Sequence, residues 1–463
     1  MRRNLSVEVG ALAALIVAQA FLFGRLVGAN TDYDEGVYLT SVDALDHGQR
    51  LGEDVFAPQP PGWYLLLRLI SLAGADSVRG FQWGMVVVAI ATGAAAYLLG
   101  RAIAGPLAGL CASALLTIAP HFTLIAHQVL ADVPPLGVSL LAFWLAWKAQ
   151  GQTRVVAVAA AGGAAMAFAI AVKPNAALAL PTFLLLLLWR NSRRERAVAG
   201  ALGGAAAIAA VLLFAYRDVL GELWESVVIY HRDARDTPAV VDRSHELTTF
   251  LNWKTPFAWL VVAGLASSIL FLRRRAEPVW ALWTWAALSL LFVAFHHPLH
   301  HNHLVALPVA LATPAAMGLA ALARRSRPES AAVGVLALVL AAGYVQQHRR
   351  LAAADEPEQP ALVAAAETLR QVTKPDDLVV SDQPLVPFLA DRRVWGPLVD
   401  TANLRFQTGS LTDEEVLHEF VAGDVSAVVV GRFFLERPVV LGGIRTRYRL
   451  VDRHDGVSIW VRR

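Results

Sequence analysis

Apolar residues in this chain are gathered into long blocks separated by short polar stretches. A helix that crosses a bilayer needs about 20 mostly apolar residues, and about eleven segments approach that length. They lie at roughly 9–28, 79–100, 103–120, 134–150, 155–172, 175–190, 197–215, 256–272, 278–295, 303–323 and 330–347. The pattern predicts an α-helical polytopic membrane protein over residues 1–348. From about Arg349 the character changes: charge and two-residue alternation appear, and no further apolar block follows. Residues 349–463 are expected to form a small α/β domain, long enough to bury a core of its own.

Within that tail, Leu362–Thr373 has helical periodicity, and Thr412–Val421 reads as a helix after the start signals Ser410 and Thr412. Asp377–Ser381 and Ser426–Gly431 are short apolar runs that suit buried strands. Tyr448–Arg463 alternates around Asp455-Gly456, a hairpin turn signal. No phosphate-binding loop is present there, and Gly442-Gly443 alone signals nothing.

Composition narrows the class further. The 463 residues are 56% hydrophobic and 17% charged, against about 25% charged in soluble domains. So apolar a chain is neither a string of soluble domains nor disordered. A disulfide scaffold is excluded too, because Cys111 is the only cysteine and lies inside an apolar block. The net charge of +3 is not a nucleic-acid footprint. Its arginines are sorted instead: with the N-terminus inside, Arg2, Arg3, Arg101, Lys148, Arg154, Arg190, Arg193, Arg194, Arg196, Arg273–Arg275, Arg324, Arg325 and Arg327 all fall in cytoplasmic loops. The first outside loop, about 29–78, is acidic. An odd number of spans puts the tail outside. The localisation expected is a bacterial-type plasma membrane, multi-pass, with the tail extracytoplasmic.

The unusual polar residues all face that outer side. Asp32, Asp34, Glu35 and Tyr38 follow the first span, and Gln59-Pro60-Pro61-Gly62-Trp63-Tyr64 comes later in the same loop. His121, His127, Gln128 and Asp132 precede the fourth span, Lys173 follows the fifth, and His296 to His303 join the ninth and tenth. Acids beside histidines suit acid/base work or a divalent cation. Plainer readings exist for each. Asp34 and Glu35 fit a solvated acidic patch, and Asp132 fits an N-cap. Trp63 and Tyr64 fit an interfacial aromatic belt, Lys173 a snorkelling side chain, and the histidines a headgroup-level loop.

Asp34-Glu35-x-x-Tyr38, the Gln59–Tyr64 segment, Ala131-Asp132-Val133-Pro134, His303–Pro308, and the tail's Asp377–Asp382 and Ala390–Arg393 occur in an order that resembles the GT-C superfamily of integral membrane glycosyltransferases. The branch it resembles contains the protein O-mannosyltransferases and the lipid A aminoarabinose transferase. The resemblance implies transfer of a sugar from a polyprenyl-phosphate donor to a hydroxyl on a lipid, glycan or protein acceptor, at the outer face of the bilayer and without nucleic acid. It makes Asp34 the base, Glu35 its support, and Asp132 the acid that positions acceptor or cation. A metal (Mg, Mn or Zn) on Asp34 and Asp132 is the one cofactor it leaves open. Tyr38, Tyr64 and His127 would touch substrate. Donor phosphate would meet Lys173, His300, His303 and Gln59, with Arg217, Arg232, Arg235 and Arg243 as further cations. One departure stands out: aminoarabinose-type members often carry a basic residue where Gln59 precedes the Pro-Pro pair. A transporter or flippase of lipid-linked glycans is the alternative, yet no halves repeat is visible and the charges sit at span ends.

Overall fold

The structure is a computed structural model that describes residues 2–28, 31–150, 153–237, 254–272, 278–326, 328–353 and 360–463. Arg243, Arg273–Arg275 and Arg327 lie outside the described residues. Helices coincide with all the predicted apolar segments. Six are long and apolar enough to cross a membrane, and five shorter apolar helices accompany them. The chain is therefore a multi-pass membrane protein. Helices α1 (Arg2–Phe23), α4 (Val78–Ala104), α5 (Pro106–Thr117), α7 (Val133–Lys148), α8 (Val155–Val172), α9 (Leu180–Leu188) and α10 (Arg194–Ala215) come from the first half. Helices α13 (Pro256–Leu272), α14 (Val279–Phe295), α15 (Ala306–Arg325) and α16 (Glu329–Ala353) come from the second. The α16 helix runs past the expected boundary at residue 348.

With lipid tails as apolar as leucine, membrane helices associate through close packing of small residues. Helices α8 and α10 meet in this way: a Cβ added at Gly200 or Gly204 of α10 would strike the backbone of Val156 or Ala160. Helix α15 is the most enclosed span, with 94% of its apolar window buried. It opens with a 3-10 turn, His301–Val305, that carries the end of the histidine-rich loop.

The stretch read as the first outside loop is folded. It contains α2 (Tyr33–Asp46) and α3 (Pro61–Leu72). Asp32 is the N-cap of α2, with Glu35 completing a capping box. The Pro-Pro pair starts α3, since Pro61 stands in its first turn, where a missing N–H costs nothing. Trp63 and Tyr64 are fully buried in α3, which corrects their reading as belt aromatics. Short helices α6 (Pro120–Ile125), α11 (Leu220–Trp224) and α12 (Tyr230–Asp233) lie in the connections after α5 and α10.

The C-terminal residues form a five-stranded sheet of order β2-β1-β3-β5-β4. Strands β1 (Leu378–Ser381), β2 (Arg393–Val394) and β3 (Ala427–Val430) are parallel to one another. Strands β4 (Tyr448–His454) and β5 (Val457–Arg462) form an antiparallel hairpin that joins β3. Its turn is the expected Asp455-Gly456, both with positive φ. Five helices accompany the sheet: α17 (Pro360–Val372), α18 (Leu385–Leu389), α19 (Asn403–Gln407), α20 (Asp413–Ala422) and α21 (Pro438–Arg447). The unit does not stand apart. Val379, Leu385, Val386 and Val399 share one apolar core with Val37, Leu39, Trp63 and Val129 of the membrane portion.

Candidate active site

The site grows from the N-terminus of α2. The capping box brings the Glu35 carboxylate back to the Asp32 amide at 3.2 Å. Its second oxygen accepts from Gln82 Nε2 of α4 at 3.1 Å and from the Val129 amide at 3.0 Å. Glu35 is wholly buried, and these three donors occupy it. Burial raises its proton affinity, pushing it up to about 7 against the pull of those donors. The geometry makes Glu35 a tie between α2, α4 and the segment before α7, rather than a group presented to a reactant.

Asp34, next to it, makes no such ties. Its amide donates to Asp32 Oδ1 at 3.1 Å, and the residue is partly buried. Burial first, then the charges of Asp32, Asp400 and Asp132, push its pKa up to about 8, with Lys173 opposing. A carboxylate with that proton affinity is suited to take a proton near neutral pH. The same influences show that α2, Asp132 and Lys173 converge, as the sequence reading required.

Asp132 sits at the N-cap of α7, but its side chain makes no cap bond. Lys173 Nζ donates to Oδ1 at 2.7 Å and Asn302 Nδ2 to Oδ2 at 3.1 Å. Both the N-cap and the snorkelling readings are thereby corrected: Lys173 ends α8 by turning inward to a buried ion pair, its side chain 11% exposed. An ammonium on one oxygen and an amide on the other also occupy the donors a divalent cation would need. Among the described residues no group of three or more His, Cys, Asp or Glu side chains is arranged to hold a metal. Asp34 and Asp132 thus do not fit a metal pair, and no step is derived through one.

His300 lies within electrostatic reach of Lys173, Asp32 and Asp132, and burial followed by Lys173 lowers its proton affinity, keeping the ring neutral. His303 stacks edge-on to His300 at 5.5 Å, and its Nδ1 accepts from the His300 amide at 3.3 Å. That bond gives His303 a capping role. Tyr38 and Tyr64 are buried with Gln59 beside them, and Tyr38 meets Trp63 edge-on at 5.3 Å. His127 is buried in the segment before α7. Arg217 and Arg232 pair with their exposed neighbours Asp218 and Asp233.

Sequence reasoning missed three contributors. Gln82 holds Glu35, Asn302 holds Asp132, and Asp400 arrives from the C-terminal unit to accept from the Tyr33 hydroxyl at 3.4 Å. Asn302 stood inside the histidine-rich motif. Gln82 and Asp400 had no local signal.

The architecture that carries this cluster is shared with solved structures of the GT-C fold. Its particular likeness is to ArnT of Cupriavidus metallidurans bound to undecaprenyl phosphate, with a TM-score of 0.71 and 15% identity over 98% of this chain and 97% of that one. The archaeal oligosaccharyltransferase AglB of Archaeoglobus fulgidus, solved with an inhibitory peptide and a dolichol-phosphate, gives 0.58 at 12% identity, over 98% of this chain and 74% of that one. Residues 58–216 match the family model for dolichyl-phosphate-mannose-protein mannosyltransferase. No curated protein matches the chain.

Proposed function

We propose that the protein is a membrane glycosyltransferase that moves a sugar from a polyprenyl-phosphate carrier to a hydroxyl acceptor. The observation that carries this reading is Asp34: a partly buried carboxylate of raised proton affinity beside the buried Asp132–Lys173 pair. The match to the mannosyltransferase family model and the likeness to ArnT bound to undecaprenyl phosphate support the donor class.

In the reaction so read, the acceptor oxygen attacks C1 of the sugar. The bond from C1 to the phosphate oxygen breaks, the acceptor proton passes to Asp34, and the lipid phosphate leaves with its negative charge. Lys173 supplies the fixed cation for that charge; Asp132 uses one of its N–H bonds and orients the remaining two. Neutral His300 and the amide of Gln59 add donors without charge, which answers the missing basic residue before the Pro-Pro pair. Tyr38, Tyr64 and His127 wall the reacting sugar. The chemistry belongs at the outer face of the plasma membrane, where arginine-rich loops such as Arg190–Arg196 lie at the far ends of the helices.

The test is transfer from a polyprenyl-phosphate sugar in membranes holding wild type or Asp34→Asn. Loss of transfer with undiminished lipid binding is expected. Full activity in the variant would remove Asp34 as the base.

A further inference from the structure

A buried guanidinium nitrogen and an accessible carboxylate oxygen of the C-terminal unit stand beside the site, neither with a hydrogen-bond partner among the described residues. Asp400 Oδ1 accepts from the Tyr33 hydroxyl and from the Ala402 amide at 2.9 Å. Its other oxygen, Oδ2, accepts no hydrogen bond among the described residues, although Asp400 is only 5% exposed. Five residues on, Arg405 donates to the carbonyls of Pro397, Asp400 and Ser410 at 3.1, 2.7 and 3.2 Å. That leaves its Nε buried and unpaired. On a residue this enclosed, a carboxylate oxygen that is still accessible and has no donor can accept from a ligand hydroxyl.

The surroundings say what kind of ligand. Phe56 lies under the Arg405 guanidinium at 3.8 Å, and Tyr230 meets Phe56 edge-on at 5.5 Å. Tyr33 is held from both sides, donating to Asp400 and accepting from the Thr401 amide at 3.2 Å. Asp400 also acts electrostatically on Asp34, Tyr64 and Tyr230, which places it at the reacting cluster. A phosphate would meet repulsion among Asp400, Asp34 and Asp32. A sugar fits: a hydroxyl donates to the carboxylate, and its C–H face packs on the rings.

We propose that Asp400 is a hydroxyl-binding, specificity-determining residue of the transfer site, holding a sugar ring among Tyr33, Phe56 and Tyr230. The proposal rests on the glycosyltransferase reading and adds a residue from the covering unit to it. The sugar is that of the donor or that of the acceptor; the chemistry is the same.

The experiment uses the full-length protein in membranes as wild type, Asp400→Asn and Asp400→Ala. Substrates are polyprenyl-phosphate hexoses and pentoses, hydroxyl acceptors, and single-deoxy analogues of each. The expected result is a KM raised about 10- to 100-fold for the sugar whose hydroxyl meets Asp400. The analogue lacking that hydroxyl loses as much with wild type and loses nothing further with the variants. An effect confined to the donor series assigns the donor sugar, and one confined to the acceptor series assigns the acceptor. Equal losses on every substrate, with no selective analogue, would reduce Asp400 to a turn residue and overturn the proposal. Failure of wild type to transfer any sugar would overturn the glycosyltransferase reading instead. Asp400 is then read by binding of polyprenyl-phosphate sugars relative to bare undecaprenyl phosphate. A ratio unchanged in Asp400→Ala would overturn the proposal there too.

Discussion

Asp34 and Glu35 are neighbours with opposite fates, and the difference is hydrogen bonding. Glu35 has three donors and is spent on holding α2; among the described residues none donates to the Asp34 carboxylate, which suits it to the proposed role of base. Replacing Glu35 by Ala strands the Val129 and Asp32 amides and the Gln82 side chain. We expect a loss of about 3 kcal/mol, read as a lowered unfolding temperature, before any effect on chemistry is measured. The pKa of Asp34 near 8 gives a sign to the pH profile. The base must be ionised, so kcat/KM is expected to rise with pH and level off above about 8. The same raised value means the folded state favours the protonated acid. The stability it contributes is full in acid and is lost as pH rises through about 8. Lys173→Met removes a cation acting on Asp34 and, on the proposed function, the charge facing the leaving phosphate. It is expected to move the profile to higher pH and lower kcat by about 10²- to 10³-fold. A chelator is expected to leave transfer unchanged, because Lys173 already occupies Asp132; strong inhibition that added metal reverses would contradict this.

The sequence made the apolar helices readable because each carries its whole signal within about 20 residues. The tail's hairpin and the helices Pro360–Val372 and Asp413–Ala422 were readable for the same reason: periodicity, an N-cap and a Gly turn are local. The candidate residues Asp34, Asp132 and Lys173, which the structure brings together, were legible as ionisable groups at span ends. What failed were readings that depend on neighbours. Helices α2 and α3 looked like loop because each is too short to cross a membrane, not because they lack helical character. Strand β2 has two residues and exists only through pairing with β1. Asp400 is meaningful only beside Tyr33. At this scale α2 also shows how it is clamped: a Cβ added at Gly36 would come within 2.6 Å of the Leu385 amide nitrogen in α18. Gly36→Val is therefore expected to pry the two elements apart, costing about 1–3 kcal/mol and most of the activity, measured by unfolding and transfer together.

Taken whole, the molecule is a helical membrane body with a sheet unit packed onto its reactive helix. The proposed outer-face function puts that unit outside, and a reporter fused after Arg463 that is active only in the cytoplasm is expected to stay silent. Because Val379, Leu385, Val386 and Val399 complete a core begun by α2 and α3, removal of residues 360–463 is expected to leave a chain that inserts but transfers nothing. The bond between Tyr33 and Asp400 spans 367 positions of sequence. During synthesis at about 5–20 residues per second, roughly 20–70 s separate the appearance of the two partners. Through that interval the growing polypeptide carries its reactive acid without the element that frames it. On the proposed function, the nascent chain is expected to stay idle on the ribosome and a truncated product to be inert rather than indiscriminate.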